Sequence, residues 1–89
     1  MLTQEQKEKL NSLGFIKSQL VKGHMHYGKQ MSACLLVVTD TLDWYISLPY
    51  PVVDKSSLDL LKSYEVYLIA VTEELSHYGR KDTGKESSR

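Results

Sequence analysis

Only one cysteine, Cys34, occurs in the 89 residues, so no internal disulfide can brace this chain, and a reducing compartment suits it. The cytoplasm is the expected location. No unbroken apolar run is longer than that of residues 33–38, far short of the roughly 18 to 20 residues that span a bilayer, so no membrane role is expected. The opening Met1-Leu2-Thr3-Gln4-Glu5 is polar and acidic, which argues against a secretory signal. Prolines are confined to Pro49 and Pro51, on either side of Tyr50. Neither can donate to a ladder, so a strand must end there and Tyr50 should project from a loop.

Acidic residues are missing altogether between Glu8 and Asp40. The net charge is zero, but residues 1–30 hold five lysines against two glutamates, while residues 31–79 hold two lysines against seven acids. A mildly basic first half therefore meets an acidic second half. Residues 80–89 are polar with a basic excess and are expected to be a disordered tail on a single domain of residues 1–79.

The strongest pattern that is present lies in residues 57–78. Leu61, Tyr64, Leu68, Val71, Leu75 and Tyr78 step by three and four, which keeps them on one side of a helix. Leu60, Val66, Tyr67, Ile69 and Ala70 fall off that seam, leaving the helix middle apolar nearly all round. A short chain has little with which to cover such a helix. A homodimer, through the long helix or an open sheet face, is the expected remedy. Residues 64–72 also have a strand-like composition, and a larger antiparallel sheet is the alternative.

Ahead of this segment, Thr3-Gln4-Glu5-Gln6 reads as a capping box for a short helix over residues 4–13, ended by Gly14. Its thin stripe of Leu10 and Leu13 predicts edge docking and easy fraying. Strands are predicted at residues 15–21, 24–30, 31–39 and 44–48, with turns at Lys22-Gly23 and 40–43. Residues 24–30 are the weakest of these, because Gly28 interrupts them. Asp54, Ser56 or Ser57 should cap the long helix, and Gly79 should end it. The fold class is α+β, with an antiparallel sheet of three or four strands packed against one long C-terminal helix. The first helix is expected to shield part of the sheet's other side.

Several chemistries can be drawn and weighed. Residues 23–30 approach the phosphate-loop pattern, but Gln30 replaces the metal-binding hydroxyl and no room remains for the helix that must follow. His24 and His26 share one side of a strand, yet two histidines without a fixed third ligand make a poor metal site. Cys34 is expected to be an inert small hydrophobe, and Asp40 and Asp43 to be turn residues. No cofactor and no catalysis are expected.

Two binding readings survive. Lys17, Lys22, Tyr27 and Lys29 belong to an acid-free ribbon able to contact nucleic acid, but the neutral net charge is unlike that of dedicated binders. Tyr45, Tyr50, Tyr67 and Tyr78 are candidates for protein recognition, since tyrosine brings large contact area with a polar handle. The leading expectation is a non-enzymatic protein-interaction module, acting as a small stoichiometric regulator, inhibitor or adaptor. The alternative is a nucleic-acid-binding regulator using residues 17–30.

Overall fold

A computed structural model describes residues 2–51 and 54–78. Thr3 caps helix α1 (Gln4–Ser12): its hydroxyl accepts from the Gln6 N–H at 3.1 Å, while the Thr3 N–H donates to Gln6 Oε1 at 2.8 Å. The reciprocal pair satisfies two of the amides that a helix start leaves open. Gly14 then takes φ +96°, a value that suits glycine, and turns the chain into β1 (Ile16–Val21).

β1 pairs antiparallel with β2 (His24–Gln30), β2 with β3 (Leu35–Thr39), and β3 with β4 (Trp44–Ser47), giving one four-stranded meander in chain order. Lys22 and Gly23 both have positive φ, 52° and 84°, so the first hairpin closes on two left-handed residues, the turn whose twist matches that of its strands. The pairing shifts between Lys17 and Gln19, and this bulge interrupts the otherwise exposed edge strand. Residues 31–34, expected to open the third strand, instead form its preceding loop, closed by the Met31 N–H on the Cys34 carbonyl at 2.8 Å. Composition reads the run 33–38 as strand, but residues 31–34 are needed to turn β2 into β3.

Helix α2 (Lys55–Leu75) settles residues 64–72 as helix. Asp54 is the cap among the three candidates, taking the Ser57 N–H at 3.0 Å and the Ser56 hydroxyl at 2.8 Å. The helix ends at Leu75 with Ser76 as its C-cap, and Gly79 lies outside the described residues, as do residues 80–89.

Both helices lie on one side of the sheet. Leu36 and Val38 of β3 are fully buried there against Leu10, Phe15, Leu68, Val71 and Leu75, with Trp44 and Ile46 packed at the margin. α1 is thus part of the core and does not shield the sheet's other side. Leu10 is fully buried, and the buried Gln6 amide donates to the Leu75 carbonyl at 2.8 Å, so the thin stripe is fastened by a polar tie as well. That carbonyl, in the last turn of α2, also takes the Tyr78 N–H at 3.0 Å, so Gln6 fills its second acceptor position.

Candidate interaction surface

Ile16, Gly28, Val37 and Tyr45 stand side by side across the four strands on the sheet face turned away from the helices. Gly28 leaves a gap in that row. Leu35 leans into it, its Cδ1 lying 3.1 Å from the place a β-carbon on Gly28 would take. Val37 is only 2 % exposed although neither described helix lies over this face. Ile16, by contrast, is 64 % exposed at the edge. Tyr45 is half exposed and held in place by His26, whose Nδ1 lies 3.0 Å from the hydroxyl with the two rings edge to face.

At its β4 end this face runs into a groove. One hollow of ≈ 440 Å³ is bordered by Gln30, Leu35 and Ser47, and a second of ≈ 190 Å³ by Leu60, Leu61 and Tyr64 of α2. The two share Ala33, Cys34, Leu48, Pro49 and Tyr50, so they adjoin along that wall, one towards the open sheet face and the other towards the first half of α2. Tyr50, 76 % exposed between its two prolines, stands on the wall of both. Burial pushes the Cys34 thiol above its ordinary pKa, which keeps it protonated and unreactive at neutral pH.

The other two tyrosines lie elsewhere. Tyr67 stacks on Phe15 at 6.4 Å between ring centres, and Tyr78 receives the Lys9 ammonium over its ring at 5.8 Å. Tyr45 and Tyr50 therefore belong to one surface, whereas Tyr67 faces Phe15 and Lys29, and Tyr78 faces Lys9 of α1.

The basic ribbon does not form one surface. Lys22 is exposed at the hairpin tip and Lys17 is exposed on β1, but Tyr27 is buried. Lys29 turns inward, donating to the Leu13 carbonyl at 2.8 Å and lying 6.0 and 5.4 Å from the centres of the Phe15 and Tyr67 rings. Alternation along β2 carries the signal for this: residues 27 and 29 share a side, so a buried Tyr27 takes Lys29 in with it. Of the two histidines, His24 faces Asp40 at 2.9 Å and His26 faces Tyr45. Backbone N–H donation from Met25, and then His24, hold the Asp40 carboxyl below the usual carboxylate range.

A second apolar surface lies on the solvent side of α2. Val66 and Ile69 are 67 % and 50 % exposed, about half a turn away from the buried Leu68, Val71 and Leu75 stripe, and Leu58 continues their line. Lys62 and Glu73 flank them, and neither has an ionic partner among the described residues. Ile16, Leu48 and Pro49 carry no signal in the sequence that separates them from ordinary strand-end residues; only the fold assembles them beside Tyr45 and Tyr50. Among the described residues, no helix is long and apolar enough to cross a membrane. No family model, curated protein or solved structure matches the chain, so its function is read from its own geometry.

Proposed function

We propose that this chain is a non-enzymatic protein-interaction module that pairs with a second copy through α2 and binds a protein partner through the open sheet face and the Tyr50 groove. In this role it acts stoichiometrically, as a regulator, inhibitor or adaptor, by covering part of the partner's surface. The observation that carries this reading is the apolar surface left uncovered on two separate sides: Ile16, Tyr45, Leu48 and Tyr50 on one, and Leu58, Val66 and Ile69 on the other. Contiguous exposed apolar area rimmed by polar groups marks association sites on soluble domains.

Charge supports α2 as the self-pairing element. An antiparallel arrangement that sets Val66 against the partner's Ile69 also sets Lys62 against the partner's Glu73, and two-fold symmetry repeats both contacts. The partner groove, in turn, offers a rigid aromatic anchor in Tyr50 beside a concave apolar floor. Nucleic-acid binding draws less support, since Lys29 is tied to the Leu13 carbonyl and the Tyr27 ring is buried, so neither extends an exposed basic and aromatic ribbon from Lys17 to Lys22.

Molar mass in solution tests the pairing. The wild-type chain should sediment as a dimer and Val66→Glu as a folded monomer; a wild-type monomer across the accessible concentration range would end the self-pairing proposal. For the groove, a partner recovered by affinity capture should bind Tyr50→Ala about tenfold or more weakly while Lys22→Glu binds as wild type. The reverse ranking would favour the basic ribbon.

A further inference from the structure

A third feature stands apart from both apolar surfaces. Gln4, Lys7 and Asn11 line one side of a cleft between α1 and the first hairpin, and Lys17 and Tyr27, a directly facing cross-strand pair, line the other. This hollow measures ≈ 320 Å³. An adjoining one of ≈ 130 Å³ shares Lys7, Lys17 and Tyr27 and ends at Leu2, Met25 and Asp40. Lys7 and Lys17 thus border the same space from different elements, and neither has a carboxylate partner among the described residues.

Tyr27 supplies the second, independent observation. It is only 6 % exposed, it borders both hollows, and its hydroxyl has no hydrogen-bond partner among the described residues. Buried hydroxyls are ordinarily paired, because leaving one unpaired forfeits the hydration it had in the unfolded chain. Here the missing partner must come from whatever fills the cleft. No hydrogen bond joins it to Asp40, whose two oxygens take the Met25 N–H at 3.0 Å and face His24 at 2.9 Å.

We propose that this cleft binds a small phosphate monoester. Two lysines match the charge of a phosphate dianion, and the Tyr27 hydroxyl and Asn11 amide add directional donors to its oxygens. A carboxylate would leave one ammonium unmatched, and a cationic ligand would be repelled by both. The phosphate is placed at the α1 end, among Lys7, Asn11, Lys17 and Tyr27, because the other end carries the Asp40 carboxylate beside Leu2 and Met25; that change of character along the cleft favours a compact molecule over a continuous polyanion.

Inorganic phosphate is the probe, titrated near neutral pH against sodium chloride of equal ionic strength, with backbone amide shifts and calorimetry as readouts. Wild type should show saturable shifts confined to α1, β1 and β2. Tyr27→Phe keeps the ring in the core and should bind about tenfold more weakly at an unchanged melting temperature, the loss of a hydrogen bond to a charged group. Lys7→Gln and Lys17→Gln should each weaken binding severalfold, and Lys22→Gln should not. Shifts reproduced by chloride, or wild-type affinity in Tyr27→Phe, would overturn the site. So would binding of a single-stranded oligonucleotide that falls as much with Lys22→Gln as with Lys17→Gln, which would indicate a diffuse basic surface instead.

Discussion

Lys29 shows how a side chain's environment can reverse what its charge suggests. Grouped by composition with Lys17, Lys22 and Tyr27, it reads as a surface cation; in the fold its ammonium caps a carbonyl at the end of α1 and rests over two rings. Lys29→Ala should therefore lower stability by about 1–2 kcal/mol, because it removes a charged hydrogen bond and a cation–π interaction together. Lys22→Ala at the hairpin tip should stay within about 0.5 kcal/mol of wild type. Urea unfolding of the two variants side by side checks this, and equal midpoints would return Lys29 to the surface. The sequence grouping failed because absence of acidic neighbours says nothing of direction, whereas strand alternation does.

Among the elements, α2 was the most legible. Its three-and-four stepping placed Leu68, Val71 and Leu75 in the core, and the flanking helix formers outweighed the strand-like middle. The same pattern marked Val66 and Ile69 as surplus, and both are exposed. The proposed self-pairing has a register that can be tested by charge reversal. Lys62→Glu would place like charges opposite each other twice in a symmetric pair and should weaken dimerisation by about tenfold. Adding Glu73→Lys in the same chain should restore it, as measured by the concentration dependence of sedimentation. If the double variant is no better than the single, the helices do not meet in this register. α1 was less legible: its cap was written in Thr3 and Gln6, but nothing local announced that Gln6 also reaches the far end of α2.

The sheet's hairpin order and the placement of a long helix upon it followed from turn residues and periodicity, while the side of the sheet that α1 would occupy did not. That choice depends on long-range packing of Leu10 and Phe15 against α2, which no short window contains. The stability of the assembled fold should also respond to acid. Asp40, held by the Met25 N–H and then His24, and Asp54, held by the Ser56 hydroxyl and then the Ser57 N–H, both ionise more readily folded than unfolded. The stability they add is present above about pH 4 and is lost as pH falls through their depressed values. Denaturant midpoints of wild type should drop on moving into that range, and Asp40→Asn should flatten the drop. A variant with an unchanged slope would show that Asp40 titrates alike in both states.

The bond from the Gln6 amide to the Leu75 carbonyl has a topological consequence. It brings the start and finish of the described polypeptide to one pole, while the Tyr50 groove opens beside the first half of a 21-residue helix whose length is about 30 Å. A label, tether or fused protein attached at either end of that span would emerge at the shared pole, leaving the opposite one unobstructed. The same adjacency makes the span of residues 2–78 a candidate for circular permutation, with new ends cut at Lys22 and Gly23.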